Sequence, residues 1–236
     1  MNYLIYGDDC RHPIVSGLLQ KKGWKNRAPA DLLILSPKER FLAHQKELKS
    51  NAVIWGGPAT DTGLLFQRGF QKAMQSDDFR RKNSLYTAEG ALALAISATS
   101  KALCDSLVLI LGYGYLGRAC SRLFRAAGAG VIIFSFSEKE LIQARLDDYP
   151  VLQSLRFLPD NASFLLNTIP APILDSYNRP ETLPEIPLLE LASIPCLSKE
   201  KNGIRVIPGG SLPSRFCPES AAYLMFLEII RLFGKE

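Results

Sequence analysis

A glycine pattern that directly follows a strongly apolar segment constrains the fold of this chain more than any other feature. Residues 107–111 read Leu-Val-Leu-Ile-Leu, and residues 112–117 read Gly-Tyr-Gly-Tyr-Leu-Gly, a G-x-G-x-x-G sequence. The apolar run predicts a buried strand, and the pattern over 116–127 predicts a helix. A strand, this glycine turn and a helix form the fingerprint of a dinucleotide-binding domain. We therefore predict an α/β fold with a Rossmann-type, doubly wound parallel sheet.

Each glycine of the pattern has its own expected role. Gly112 allows the tight turn after the strand, Gly114 lets a pyrophosphate approach the backbone because it has no Cβ, and Gly117 lets the helix pack closely on the sheet. Amides at the start of the helix are expected to bind the diphosphate. The predicted cofactor-binding residues of this loop are Gly112, Tyr113, Gly114, Tyr115, Leu116 and Gly117.

The end of the second predicted strand, 131–134, bears on the choice of cofactor. NAD sites usually carry Asp or Glu there, about 20 residues after the glycines, to hold the ribose hydroxyls. Residues 134–137 of this chain read Phe-Ser-Phe-Ser, so no carboxylate is expected to repel a 2′-phosphate. The sequence therefore favours NADP over NAD, although the arginine that often holds this phosphate is missing at Phe136. The candidate phosphate-binding residues are Ser135, Ser137, Lys139 and Arg118.

A polar strand end follows further along the chain. Residues 165–170 read Leu-Leu-Asn-Thr-Ile-Pro. Because ligands of open α/β sheets bind outside the carboxyl ends of strands, Asn167, Thr168 and Pro170 are expected to flank the nicotinamide ribose. The alternative is a polar strand end before a proline-rich turn, with no ligand.

The remaining elements divide the chain into an N-terminal α/β substrate domain (1–85), a connector helix (86–103, helical over 87–103), the dinucleotide-binding domain (104–212) and a C-terminal segment (213–236). Apolar runs separated by turns predict βαβ units with strands at 3–6, 32–35 and 53–55 and a helix at 13–22. A helix at 218–233 has an apolar stripe that we expect to pack on the N-terminal domain. Further elements are predicted at 138–146, 155–158, 164–167, 188–191 and 204–207.

Composition excludes several other classes of protein. The net charge is +5 and the basic residues are scattered, which argues against a nucleic-acid-binding protein. The five cysteines are odd in number and form no C-x-x-C pair, so neither a metal site nor a disulfide framework is expected. No apolar run approaches the roughly 20 residues that span a bilayer, and no signal peptide is evident. A soluble, cytoplasmic protein is predicted.

Several short segments, in the same order nearly end to end, resemble the A subunit of bacterial dipicolinate synthase. They are Gly7-Asp8-Asp9-x-Arg11, Asn83-Ser84-x-x-Thr87-x-Glu89-Gly90, Asn167-Thr168-Ile169-Pro170, Leu191-Ala192-Ser193, and Pro208-Gly209-x-x-Leu212-Pro213 followed by Pro218 and Ala221. The resemblance implies NAD(P)-dependent oxidation of dihydrodipicolinate to pyridine-2,6-dicarboxylate during sporulation. It also implies that the partner is a flavoprotein-like B subunit and that the location is the mother cell of a spore former. Compared with the domain that this resemblance implies, the N-terminal domain is shorter between the third strand and Asn83.

A dicarboxylate substrate calls for arginines, which bind carboxylates in bidentate fashion. Arg11 and Arg215 lie in predicted turns, and we expect both turns to face a cleft between the domains. Either could instead be a solvated loop arginine. The start of the connector helix is expected to present donors to the substrate, and two residues are candidate proton acceptors. The donors are Asn83, Ser84 and Thr87, and the proton acceptors are Glu89 and His12.

Two other functions remain open. One is a dehydrogenase of the shikimate dehydrogenase or glutamyl-tRNA reductase type with another small anionic substrate. The other is a non-catalytic relative that binds NADP as a regulatory module, which a shortened substrate domain would suit. Self-association as a homo-oligomer is a further hypothesis.

Overall fold

The computed structural model describes residues 1–57, 61–156, 158–159, 161–175, 186–197 and 205–234, and the chain divides into two compact units. The first unit comprises Met1–Arg80 with Cys217–Glu236, and the second comprises Arg81–Phe216. Each unit contains one sheet in which every strand pair is parallel. Helices follow the strands in both, so the predicted α/β fold class is confirmed.

The first unit is built on a five-stranded sheet. Its strands are β1 (Asn2–Tyr6), β2 (Lys25–Asn26), β3 (Ala30–Leu35), β4 (Leu48–Gly56) and β5 (Gln71–Lys72), in the spatial order β2-β1-β3-β4-β5. The helices between its strands are α1 (Arg11–Lys21), a 3₁₀ helix (Phe41–Glu47) and α2 (Thr62–Gln67). The three central strands contain the predicted apolar runs. The two-residue edge strands are too short and polar to give a periodic signal.

The helix α3 (Asp77–Ala98) corresponds to the predicted connector helix. It begins ten residues before the predicted start at 87 and ends five residues before the predicted end at 103. Ser76 precedes it, and its hydroxyl accepts a hydrogen bond from the amide of Phe79 at 3.1 Å, as an N-cap does. Asp77 and Asp78 in the first turn complement the helix dipole. This first stretch is polar and gives no apolar period, which is why the predicted start was wrong.

The helix α7 (Pro218–Phe233) belongs to the first unit and packs on α1. The rings of Trp24 and Phe233 meet edge to face at 5.1 Å. The buried Glu228 carboxylate accepts hydrogen bonds from the amide and hydroxyl of Ser76 at 2.5 and 2.9 Å, and it pairs with Arg231. Burial raises the pKa of Glu228, but the hydrogen bonds from Arg231 and Ser76 outweigh burial and lower it. The carboxylate therefore holds α7 to the start of α3.

The second unit is built on a six-stranded sheet in the spatial order β11-β10-β9-β6-β7-β8. Its strands are β6 (Leu107–Leu111), β7 (Gly130–Phe134), β8 (Val151–Leu152), β9 (Ala162–Asn167), β10 (Pro187–Glu190) and β11 (Arg205–Pro208). Its helices are α4 (Tyr115–Ala126), α5 (Glu138–Leu146) and α6 (Leu212–Phe216), with a 3₁₀ turn at Leu103–Asp105.

The strand order of this sheet creates a crevice beside β6. The chain runs outward from β6 through β7 to β8, then crosses to β9 and continues outward on the other side. Such a reversal is the topological switch point at which open α/β sheets bind ligands. Residues 108–111 of β6 are fully buried, as expected for a central parallel strand.

One predicted strand of this unit is wrong. Leu155 lies in a bend with its side chain in the core, and the edge strand β8 lies at Val151–Leu152 instead. The apolar side chain of Leu155 is buried without strand pairing, which periodicity alone cannot distinguish. Phe157, within the predicted strand, and Ile204, at the start of the last predicted strand, lie outside the described residues. Across the described ranges, no helix combines the length and apolar character that crossing a membrane requires.

Candidate functional site

The glycine loop of the second unit connects β6 to α4. Gly112 has a φ of +98°, a conformation that side-chain-bearing residues rarely adopt. A Cβ on Gly117 would lie 2.1 Å from the carbonyl oxygen of Gly112, so the close approach of α4 to the loop requires glycine there. These two glycines are therefore needed by the fold itself.

Gly114 differs, because nothing in the described part of the protein demands its missing side chain. Its φ is −71°, and an added Cβ would meet only Glu140 Oε1 at 3.7 Å, an ordinary contact distance. Gly114 is the N-cap of α4, and the amides of the first turn that follows have no intrahelical acceptor. Open backbone beside these amides fits a dinucleotide diphosphate.

A cavity of about 380 Å³ lies over this loop, within the size range of ligand pockets. It is formed at the carboxyl ends of β6, β7 and β9. Its lining residues are Gly112, Gly114, Tyr115, Leu116, Ser135, Phe136, Ser137, Glu140, Thr168, Ile169 and Pro170. Eight of the predicted cofactor-binding residues are among them.

Three predicted cofactor-binding residues do not line this cavity. Tyr113 is fully buried, and its hydroxyl donates a hydrogen bond to Asp147 at 2.7 Å. Gly117 lies behind Gly112, against the carbonyl oxygen of that residue. Asn167 is also fully buried, and its amide nitrogen donates to Glu190 at 2.7 Å and to the carbonyl of Ile169 at 3.1 Å. These three residues shape the loops around the cavity from beneath.

Glu140 is the charged lining residue that the sequence analysis missed. It lies in the first turn of α5, and its Oε2 accepts hydrogen bonds from the Ser135 hydroxyl at 2.6 Å and from the amide of Tyr113 at 2.9 Å. The signal for it was Ser137-x-x-Glu140, a capping-box pattern at a helix start. Ser137 does cap α5 by accepting from the Glu140 amide, but the carboxylate extends to the glycine loop instead.

The premise of the NADP prediction is therefore wrong. A carboxylate does stand at the end of β7, contributed by α5 rather than by the strand. The Nε of Arg118 donates to the carbonyl of Tyr113 at 3.1 Å, and neither Arg118 nor the exposed Lys139 lines the cavity. The choice between NADP and NAD itself stays a prediction.

A cavity of about 320 Å³ in the first unit lies at the carboxyl end of β1, with Asp8, Asp9 and His12 among its lining residues. His12 is 6% exposed, and its Nδ1 lies 3.2 Å from the carbonyl oxygen of Gly7. Because a carbonyl only accepts, this contact places the proton of the neutral ring on Nδ1 and the lone pair on Nε2. Desolvation lowers the pKa of His12, so the ring is neutral near pH 7 and able to accept a proton.

Arg11 is the first residue of α1 rather than part of the predicted turn, and it makes a bidentate pair with Asp9, which precedes the helix. Its Nε and Nη2 donate to the Asp9 carboxylate, with the shortest distance 2.7 Å. Burial raises the pKa of Asp9, but the hydrogen bonds from Arg11 outweigh burial and lower it from 3.8 to about 2. Arg11 is thus held in one orientation, and within the described part of the chain its Nη1 makes no hydrogen bond.

The variant Asp9→Asn is expected to lower the free energy of unfolding of the first unit by about 2 kcal/mol at pH 7. Because the folded-state pKa of Asp9 is lowered, its stabilisation is present above about pH 4 and is lost as the pH falls towards 2. The difference from wild type should therefore vanish in acid. Both tryptophans, Trp24 and Trp55, lie in the first unit, so denaturant unfolding followed by tryptophan fluorescence measures it.

The exposed neighbour Asp8 provides the control, because Asp8→Asn removes the same charge from the same turn without breaking the pair. Equal unfolding free energies for wild type and Asp9→Asn at pH 7 would contradict the assigned role of the pair.

The predicted substrate donors lie in the interior of α3 rather than at its start. The side chains of Ser84 and Thr87 are buried, and Thr87 donates to the carbonyl of Asn83 at 2.8 Å within the helix. The argument from a helix N-terminus therefore fails for these three residues. Glu89, a candidate proton acceptor, is exposed on the same helix and also lies in the helix interior.

Arg215 lies exposed in the helix α6 rather than in the predicted turn, with its guanidinium 5.5 Å from the centre of the Phe216 ring. It belongs to the second unit, whereas Arg11 belongs to the first. Convergence of the two arginines on one substrate stays a prediction.

A parallel sheet with a glycine loop and a ligand-sized cavity at its switch point places the second unit in the Rossmann class. Known structures agree with this class. The D-isomer-specific 2-hydroxyacid dehydrogenase of Lactobacillus delbrueckii ssp. bulgaricus, in its NAD-complexed form, superposes with a TM-score of 0.59 at 9% identity, over 99% of this chain and 97% of that one. The fold is that of nicotinamide-dependent dehydrogenases.

Sequence comparison finds more specific relatives. The A subunit of dipicolinate synthase from Bacillus subtilis (strain 168) is 30% identical in an alignment of 177 residues that covers 72% of this chain. The crystal structure of the corresponding protein from Bacillus halodurans has a TM-score of 0.81 at 20% identity, over 100% of this chain and 98% of that one. The chain is thus similar in sequence and in fold to the A subunits of dipicolinate synthase.

Two findings limit how much this similarity shows. The sequence match spans 59% of the length of the Bacillus subtilis protein, which is less than two thirds. No family model matches the chain. The dehydrogenase fold and the similarity to dipicolinate synthase A subunits are therefore established, whereas the reaction of this particular chain is a separate question.

Proposed function

We propose that this chain is a nicotinamide-dependent oxidoreductase that oxidises dihydrodipicolinate to pyridine-2,6-dicarboxylate. The observation that carries the proposal is the open glycine cradle around Gly114 in a chain homologous to the dipicolinate synthase A subunits. The sequence favoured NADP as the cofactor, whereas the position of Glu140 supports NAD.

The reaction removes one hydride and one proton from the dihydropyridine ring. The oxidised nicotinamide, when bound, accepts the hydride, and aromatisation of the ring supplies driving force. The protein must therefore hold the substrate in place and accept one proton. It does not need a strongly activated base. His12, neutral with a lone pair on Nε2, suits the proton acceptor. Glu89 is the second candidate acceptor from the sequence.

Arginines are the substrate-binding groups of this proposal. Arg11 keeps Nη1 for a carboxylate while Asp9 orients the rest of its guanidinium. The exposed Arg215 of the second unit is the other candidate group for a carboxylate. Asn83, Ser84 and Thr87 are weaker candidates, because two of them are buried within α3.

Arg11→Ala and Arg215→Ala are each expected to weaken dicarboxylate binding by at least about tenfold, or roughly 1.4 kcal/mol, because a carboxylate is left without its partner. Dinucleotide affinity should stay nearly unchanged. Calorimetric titration with pyridine-2,6-dicarboxylate in the presence of the dinucleotide measures the effect. The exposed Arg156 provides a matched control, since Arg156→Ala removes the same charge elsewhere on the second unit. Unchanged dicarboxylate affinity in both variants would overturn the substrate assignment.

Activity itself is tested with freshly generated dihydrodipicolinate and each nicotinamide dinucleotide, following absorbance of the reduced nicotinamide. Adding a flavoprotein-like B subunit tests the proposed partner, and production in the mother cell of a spore former is the matching proposal for location. Reduction of the dinucleotide supports the proposed reaction, and its absence with and without the partner overturns it.

A non-catalytic dinucleotide-binding relative is the second candidate. The observation that favours it is the pairing of Arg11 with Asp9, which occupies two of the three guanidinium nitrogens. This candidate predicts dinucleotide binding without dicarboxylate binding or turnover. A dehydrogenase with another small anionic substrate would instead bind the dinucleotide and reject pyridine-2,6-dicarboxylate.

A further inference from the structure

We propose that the Glu140 carboxylate makes this protein select NAD over NADP, by accepting hydrogen bonds from the adenosine ribose and repelling a 2′-phosphate. The inference rests on the proposed use of a nicotinamide dinucleotide and concerns the same cavity. It reverses the preference that the sequence alone favoured.

The carboxylate of Glu140 lies at the end of β7. In NAD-binding Rossmann domains, an acid at the end of the second strand holds the ribose hydroxyls. Here Ser135 follows that strand, and its hydroxyl donates to Glu140 Oε2 at 2.6 Å. The amide of Tyr113, between the first two glycines of the loop, donates to the same oxygen at 2.9 Å. Glu140 therefore bridges the strand end and the glycine loop, and it supplies from α5 the charge that the strand lacks.

The second carboxylate oxygen of Glu140, Oε1, remains for a ligand. Both of these hydrogen bonds end on Oε2, and among the described residues none ends on Oε1. Oε1 lies on the side of Gly114, where an added Cβ would be 3.7 Å from it. Glu140 lines the cavity together with Gly114. One oxygen thus anchors the side chain while the other faces the space left open beside the loop.

The described lining of the cavity offers no positive charge to compensate that of Glu140. No lysine or arginine is among the described residues that line this cavity. Phe136, 57% exposed, stands where an arginine often holds the 2′-phosphate. Its ring packs edge to face on Phe134 at 5.0 Å. A 2′-phosphate beside Glu140 would bring like charges together without a cation between them.

The test is a comparison of NADH and NADPH affinities by fluorescence titration at fixed ionic strength. Wild type is expected to bind NADH at least about tenfold more tightly than NADPH. Glu140→Gln keeps an acceptor oxygen and a residue type that suits this helix position, but removes the charge. It should weaken NADH binding and strengthen NADPH binding, so that the ratio of the two affinities approaches one. Glu138→Gln, an exposed acid of the same helix turn that does not line this cavity, is the matched control and should leave the ratio unchanged.

The outcomes separate this inference from the proposed function. Equal or tighter binding of NADPH by wild type overturns the selection of NAD and leaves dinucleotide use intact. The same holds if Glu140→Gln, with unchanged thermal unfolding, keeps the wild-type ratio. Failure of both dinucleotides to bind overturns the proposed function, and this inference with it.

Discussion

In the variant Gly114→Val, we expect the affinity for a nicotinamide dinucleotide to fall by at least about a hundredfold, or roughly 2.7 kcal/mol, while the fold remains intact. The new side chain would enter the space through which a pyrophosphate approaches the backbone. The protein itself has room for it, because the nearest atom to an added Cβ is Glu140 Oε1 at 3.7 Å and the backbone is in an ordinary conformation. The loss of glycine at the N-cap costs at most about 1 kcal/mol. Calorimetric titration and thermal unfolding measure the two quantities separately.

Two other glycines supply the controls for this prediction. Gly210→Val adds the same side chain where nothing lies within 4 Å of a new Cβ and should change neither quantity. Gly117→Ala should instead lower stability, because its Cβ would lie 2.1 Å from the carbonyl oxygen of Gly112. Wild-type affinity in Gly114→Val would show that no dinucleotide binds over this loop.

The central part of the fold could be predicted because its signals are local. In β6, five consecutive apolar residues lead directly into the glycine turn, and the observed strand has the predicted bounds, Leu107–Leu111. The same is true of α5 and α7, which begin after Ser137 and with Pro218 at the first helical position. Where a burial period and a cap coincide, the sequence contains the information needed.

Elements whose stability comes from tertiary contacts could not be predicted in this way. The first ten residues of α3 are mostly polar, and Ser76, which caps it, is held by Glu228 from a segment 152 residues away. Likewise, the side chain of Leu155 is buried without belonging to a strand. Periodicity reports which residues are buried, not which partner buries them.

The same distinction between local signals and tertiary contacts applies to the candidate site. Loop residues such as Gly114 and Thr168 were predicted to lie at the cavity, because a motif specifies their place relative to a strand end. Glu140 was missed because its carboxylate reaches the loop from a helix that is adjacent in space. Asn167 was predicted as a ligand because it is polar at a strand end, but its polar atoms are satisfied inside the protein. A polar residue at such a position can serve a neighbouring loop as well as a ligand.

In the variant Glu190→Ala, we expect the free energy of unfolding of the second unit to fall by about 3 kcal/mol. Glu190 is 8% exposed, and its carboxylate accepts hydrogen bonds from Asn167 Nδ2 at 2.7 Å, the Cys196 amide at 2.8 Å and the Ala192 amide at 3.1 Å. Removing it leaves these donors without their acceptor. Asn167 also holds the turn at Ile169 that lines the cavity, so dinucleotide binding should weaken as well. Denaturant unfolding followed by circular dichroism measures stability, with tryptophan fluorescence as an internal report on the first unit.

A double-mutant cycle distinguishes this hydrogen-bond network from simple loss of packing. Asn167→Ala removes one of the donors, so the cost of Glu190→Ala should be smaller in that background than in wild type, by about 1 kcal/mol. Glu190→Gln should cost less than Glu190→Ala, because the amide keeps one acceptor oxygen. Some cost remains, since the amide nitrogen is a donor and faces one of the three donors that the carboxylate accepted from. Additive costs of the two alanine substitutions would mean that Glu190 and Asn167 do not act together. Asn167 would then support the turn through its own hydrogen bonds to the amide and carbonyl of Ile169, independently of Glu190.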